Sequence, residues 1–161
     1  MFKTVTNLLF KMPYFWEIKY EMNKNTPKSI TDEMLDNDAF SLWLGIERIK
    51  DGLGVSSLKM KVRGEMLNGF GILHGGIAFS FADSALAFAA NSHGRKCLSV
   101  ENSIHYINSC TEGDEIIAHA KEVSCSFKIG VYEVEIVKSD GKKVAVFRGT
   151  VYRSSKEWEV D

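Results

Sequence analysis

The longest apolar stretch of the chain runs from Ile77 to Asn91, where almost every position is Ile, Phe, Leu or Ala. At helical spacing, Ser80, Ser84, Ala87 and Asn91 form one narrow small or polar stripe, with Asp83 beside it. A helix that is apolar on nearly all sides is a buried one, so the rest of a short chain must wrap around it. The residues that follow alternate with a period of two, as strands do. Leu98, Val100, Ile104 and Tyr106 are expected on one strand face. Residues 115–127 predict a second strand, and residues 129–138 a third, where Tyr132, Val134 and Ile136 alternate with Glu133 and Glu135. Ser139-Asp140-Gly141-Lys142 reads as a hairpin turn, its Asp-Gly pair favouring positive φ, and residues 144–153 complete the pair.

Ahead of the buried helix, Ser29 or Thr31 could cap a helix running through Met34, Leu35 and Phe40 to about Leu44. Residues 46–62 alternate loosely around Gly52 and Gly54, as a strand, a turn and a strand, or one bent strand. Strands joined by tight turns are antiparallel. The predicted fold is α+β: an antiparallel sheet curved around one long central helix.

Residues 1–30 read as an N-terminal extension and residues 31–161 as one domain. The extension is dense in aromatics (Phe2, Phe10, Tyr14, Phe15, Trp16, Tyr20), and its apolar run is too short for a signal peptide. Lys plus Arg total 20 and Asp plus Glu 21, a net charge of −1. That balance argues against a nucleic-acid partner, which needs a basic face, and gives no attraction to a membrane surface. No segment reaches the roughly 18 apolar residues of a membrane span. Three cysteines, Cys97, Cys110 and Cys125, are odd in number and widely spaced, which fits a reducing, cytoplasmic setting. They form no metal-ligand spacing with histidine, so neither a metal nor another cofactor is expected. His93, His105 and His119 show no partner spacing.

One stretch carries candidate chemistry. Between Met66 and Gly94, Asp83 is the sole charged residue. A carboxylate in a buried helix is costly unless something uses or pairs it; general-base work is one use, and capping a loop or pairing with an arginine is the plain alternative. His74-Gly75-Gly76 opens the same helix. The first N–H groups of a helix lack internal acceptors and carry its positive end, so they can hold a carbonyl oxygen that gains charge; the glycines could equally serve a tight entry turn. Asn68 could hold water or a carbonyl, or make an ordinary Asn-Gly turn with Gly69. No serine-nucleophile, phosphate-loop or dinucleotide motif is present.

These residues resemble a known family. Asn68-Gly69, His74-Gly75-Gly76, Ala82-Asp83 and Asn91-Ser92-His93-Gly94 together resemble the hotdog-fold acyl-CoA thioesterases of the phenylacetate-degradation type. The likeness continues through Ser103-Ile104-His105-Tyr106, Gly113-Asp114, Gly130-Val131-Tyr132-Glu133-Val134 and Val144-Ala145-Val146-Phe147-Arg148-Gly149, over about residues 32–155. It implies a hotdog fold, and a homodimer or homotetramer with active sites at the subunit interface. It also implies hydrolysis of acyl-CoA, aryl-acetyl or medium-chain, to free acid and CoA. By matching position, Asp83 would be general base or nucleophile, the Gly75 N–H would polarise the thioester carbonyl, and Asn68 would position water or substrate. The carbonyl oxygen would dock at the helix start, on Gly75 and Gly76, His74 would shape the substrate-binding loop, and Ser99 would assist water. Arg95, Lys96 and Lys128 are candidates for the CoA phosphates. The rival reading is a non-catalytic acyl-CoA binder or sensor on the same fold. Where many members of the family carry a proline, this chain has Asn108-Ser109-Cys110.

Overall fold

The computed structural model describes residues 25–160. Most of the aromatic extension, and any helix after Pro13, lies outside the described residues. The first element among the described residues is helix α1 (Pro27–Asp36), which does not continue to Leu44. Thr26 caps it in a reciprocal box with Ser29, and Pro27 sits at the first helical position, where its missing N–H is no loss. The helix therefore starts before either expected cap, across the expected domain boundary at residues 30 and 31. The helical run breaks at Asn37 and Asp38. The Asp38 carboxylate accepts from the Phe40 and Ser41 N–H groups, starting a separate helix α2 (Ala39–Leu44).

Next come β1 (Glu47–Gly52), β2 (Val55–Lys61), a short 3-10 turn, α3 (Gly75–Asn91), β3 (Arg95–Tyr106), β4 (Glu115–Cys125), β5 (Ile129–Lys138) and β6 (Lys143–Glu157). The six strands form one antiparallel sheet in the order β1-β2-β4-β5-β6-β3. In the β5–β6 turn Gly141 alone takes positive φ, while the Asp140 side chain accepts from the Lys142 N–H.

Helix α3 lies in the concave face of the sheet. Phe81, Ala82, Ala85, Leu86 and Ala89 are fully buried against Leu58, Ile116, Val134, Ile136 and Phe147. Burying one large apolar side chain is worth about 1.5–3 kcal/mol, and the alanines let the sheet come close. The polar stripe of α3 faces the other way, towards α1 and α2, where the Ser84 and Ser41 hydroxyls meet at 3.0 Å. Among the described residues, no helix is long and apolar enough to cross a membrane.

β3 departs from the expected alternation. Its pairing with β6 shifts between Ser99 and Glu101, a bulge that re-aims every side chain after it. Cys97 and Ile104 pack on the core and Tyr106 reaches back to α3, whereas Leu98 is 66% exposed. Leu98, Val100, Ile104 and Tyr106 therefore do not share a face. β3 also ends the sheet, with its outer edge unpaired among the described residues.

Candidate active site

The start of α3 is built from short-range contacts. His74 is the N-cap, and its Nδ1 accepts from the Gly76 N–H at 2.9 Å. An accepting Nδ1 puts the ring proton on Nε2. Gly76, expected to offer its N–H to substrate, spends it on this cap, so the Gly75 N–H is the open donor, with no acceptor among the described residues. The Tyr106 hydroxyl donates to the Gly75 carbonyl at 2.9 Å. A Cβ at position 75 would stand 3.0 Å from the tip of that ring. Asn68 does make a turn, its Oδ1 accepting from the Phe70 N–H at 2.9 Å. Asn68 and Gly75 line a common cavity of about 320 Å³, closed by Tyr106 and by the Asn108-Ser109-Cys110 segment.

Asp83 lies eight positions further along α3, half-buried. Its Oδ1 accepts two hydrogen bonds, from the Ser99 hydroxyl at 2.9 Å and from Asn102 Nδ2 at 2.9 Å. Among the described residues nothing donates to Oδ2 and no cation pairs with the carboxylate. Ser99, expected to assist water, thus contacts the acid itself. Asn102 is not among the expected residues. The one signal for it is an Asn in mid-strand, where that residue is disfavoured. Asp83 opens on a second cavity, of about 410 Å³, walled by Met34, Ala87, Phe88 and Trp158. Trp158 is fixed there by donating Nε1–H to Asn91 Oδ1 at 2.8 Å. Of the aromatics that begin and line α3, only Phe88 borders this cavity: Phe81 is core, Phe79 packs edge-on to Phe147, and Phe70 is 89% exposed.

The sequence-predicted residues thus form two groups on one helix: Asn68, His74, Gly75 and Gly76 at its start, and Asp83 with Ser99 further along. Eight residues of helix rise about 12 Å. Gly75 and Asp83 of the same chain therefore cannot both touch one carbonyl group.

Other expected groups are engaged elsewhere. Arg95 donates to the carbonyls of Ser154, Phe127 and Arg153, and Lys96 lies over the Trp158 ring. His93 and His119 do have partners: His93 Nε2 lies 2.6 Å from Glu122 Oε2, and His119 Nδ1 2.9 Å from the Ser57 hydroxyl. The ligand atoms of His93, Glu122 and Cys125 lie within 4.8 Å of one another, a grouping that could hold a metal ion and that sequence spacing hid. Glu122 Oε2 already accepts from the Tyr132 hydroxyl at 2.9 Å, so this carboxylate is satisfied by protein groups. Burial first, then the Glu122 carboxylate, pushes the Tyr132 phenol well above its ordinary range. Burial likewise raises all three free thiols, keeping them protonated and poor nucleophiles.

The profile of the Thioesterase superfamily matches residues 70–145. A protein of Archaeoglobus fulgidus is 38% identical over 129 residues, 80% of this chain and 84% of its own length. The acyl-coenzyme A thioesterase PaaI of Escherichia coli is 38% identical over 120 residues, 74% of this chain and 86% of its own. The solved structure of E. coli PaaI, from the phenylacetic acid degradation operon, superposes with a TM-score of 0.80 at 35% identity, covering 81% of this chain and 95% of that one. A mutant of the phenylacetic acid degradation protein PaaI from Thermus thermophilus gives 0.70 at 34% identity, covering 73% and 100%. The sheet wrapped on α3, the motif at its start and these likenesses agree: the chain belongs to the thioesterase superfamily, as a PaaI-type hotdog thioester hydrolase.

Proposed function

We propose that this protein hydrolyses acyl-CoA thioesters to the free acid and CoA, using sites shared between two copies of the chain. The observation that carries the reading is the Asp83 carboxylate, which lines a cavity, with Oδ1 taking two donors and Oδ2 taking none among the described residues. The thioester carbonyl oxygen docks on the Gly75 N–H at the positive end of α3, a donor aimed where negative charge develops. Asp83 of the other copy takes a proton from a water molecule through Oδ2, and the water oxygen bonds to the carbonyl carbon. Collapse of the tetrahedral intermediate breaks the carbon–sulfur bond, and the CoA thiolate leaves with the proton. Asn68 Nδ2, freed by the turn made through Oδ1, is a second donor on the Gly75 side, and His74 and Gly76 hold that loop in shape.

The separation of about 12 Å along α3 supports the sharing of the site, because a second chain is needed to bring the two halves together. The unpaired β3 edge, with Leu98 and Val100 exposed, supports a homodimer joined edge to edge into one continuous sheet. Two such dimers would make a tetramer. Phe88 and Trp158, together with the naming of the relatives, favour aryl-acetyl substrates over medium-chain ones. The unpaired thiols suit a cytoplasmic setting.

The test is thiol release from a panel of acyl-CoAs by wild type and by Asp83→Asn. The amide still accepts from Ser99 and Asn102, so the fold should hold while turnover falls at least about a hundredfold. Wild-type turnover in the variant would remove Asp83 from the mechanism. Binding of acyl-CoA without thiol release would favour the non-catalytic binder.

A further inference from the structure

Asn102 is lodged in the sheet in a way its residue type does not call for. It sits opposite Gly149 in the β3–β6 register. A Cβ at position 149 would come within 2.3 Å of Asn102 Oδ1 and within 2.3 Å of Leu86 Cδ1. Gly149 is therefore a notch in β6 that the Asn102 amide fills, with Leu86 of α3 beside it. Asn102 Oδ1 is buried there without a hydrogen-bond partner. The opposite face of the amide, Nδ2, donates to Asp83 Oδ1 at 2.9 Å. Turning the amide over would set two oxygens against each other at that distance, so the contact to the carboxylate fixes the orientation. An unsatisfied buried acceptor is normally selected against; here it accompanies a donor delivered to the active carboxylate.

The β3 bulge makes this delivery possible. Ser99 and Asn102 are three residues apart, and in a regular strand an odd spacing puts two side chains on opposite faces. The shift between Ser99 and Glu101 turns Asn102 back to the side of Ser99, so both reach the same carboxylate oxygen.

We propose that Asn102 is a positioning residue for the thioester hydrolysis. With Ser99 it saturates Oδ1 of Asp83 and fixes the carboxylate plane, which leaves Oδ2 as the oxygen that meets water. Asn102 acts through Asp83 and touches no substrate. The inference rests on the hydrolase reading above and adds which oxygen reacts and what holds it.

The experiment compares Asn102→Leu, close in size but without a donor, and Asn102→Asp, which also puts a like charge beside Asp83. Both are assayed on the acyl-CoA that wild type cleaves best, across pH. The leucine variant should lose on the order of ten- to a hundredfold in kcat, the range of one charge-assisted hydrogen bond, with KM within about twofold. The acid limb of its kcat profile should move to higher pH, because a donor to the charged form is gone, and the aspartate variant's further still. Should the leucine variant fail to fold, Asn102→Thr, strand-favouring and too short to reach Asp83, is assayed in its place. A folded variant with wild-type kcat and an unmoved acid limb overturns the proposal, even if its melting temperature falls, since that would mark a merely structural side chain. If Asp83→Asn is inactive while the Asn102 variants match wild type, this inference alone fails. If wild type releases no thiol, or Asp83→Asn is as active as wild type, the hydrolase reading fails and takes this one with it.

Discussion

The proposed sharing of the site between two chains predicts that it can be split between two inactive variants and rebuilt by mixing them. One variant is Asp83→Asn, which keeps the start of α3 intact. The other is Gly75→Pro. Position 75 is the first residue of the helix, where proline is tolerated and its fixed φ suits the backbone. His74 before it is already extended at φ −63 and ψ 131, the region that a following proline demands. The atoms nearest a Cβ at this position belong to the Tyr106 tip, which is exposed and can swing aside. Proline thus deletes the Gly75 N–H while sparing the fold, and loss of one oxyanion donor costs on the order of 10²–10³ in turnover. When the two chains are denatured, mixed in equal amounts and refolded, half the dimers pair one of each. In such a dimer the intact Gly75 of one chain faces the intact Asp83 of the other, and the second site carries both lesions. Half the molecules with one working site of two restores about a quarter of wild-type activity. Either variant refolded alone should stay at or below about a hundredth. The assay is thiol release per chain, with dimer formation checked by light scattering. If the mixture, fully dimeric, is no more active than its parents, then Gly75 and Asp83 do not act from different chains.

Gly149→Ala forces its methyl into both Asn102 and Leu86; such overpacking costs about 1–3 kcal/mol, so the melting temperature should fall by several degrees, at about 2–4 °C per kcal/mol, with kcat falling alongside, and an unchanged melting curve would show that the notch is not filled. Asp114 accepts from Lys138 Nζ at 2.6 Å and from the Thr111 N–H at 2.7 Å, which hold its carboxyl below the ordinary range. Because the folded value is the lower one, this stabilisation is complete above the unfolded value of about 3.9 and fades as pH falls through the folded one. Chemical denaturation at a series of pH values should therefore show Asp114→Asn less stable than wild type near neutrality, with the gap closing below about pH 4; a gap constant with pH would remove the ion pair as its cause.

The large elements are legible because each has one dominant period. Ile77–Asn91 is apolar at every turn, and residues 129–138 alternate cleanly, so local pattern and tertiary burial agree. What escapes depends on geometry that no period encodes. The α1–α2 break is a competition for two N–H groups that Asp38 wins through its side chain. The β3 bulge adds one residue to one strand, and alternation carried through it puts Tyr106 on a face with Leu98. Asn102 is missed for that reason: its position beside Ser99 exists only once the bulge is known. At the helix start, Asn68 reads as a turn residue or a ligand donor, and its two amide atoms divide those roles. Gly76 looks like a second open donor because nothing in the residue order shows the His74 ring folding back on it. Glu122 and Cys125 share β4, His93 follows α3, and only the packing of the end of α3 against β4 brings the histidine to the other two.

Trp158 stands just beyond the last strand, yet it closes the space in front of Asp83. Its N–H donates to the Gly94 carbonyl, and its own carbonyl takes the Asn25 side chain. The segment just before α1 and the segment just after β6 are thereby stitched to each other at the rim of that cavity. Changing Asn25 or Trp158 would therefore reshape this cavity before it disturbed the sheet, because neither residue belongs to a strand.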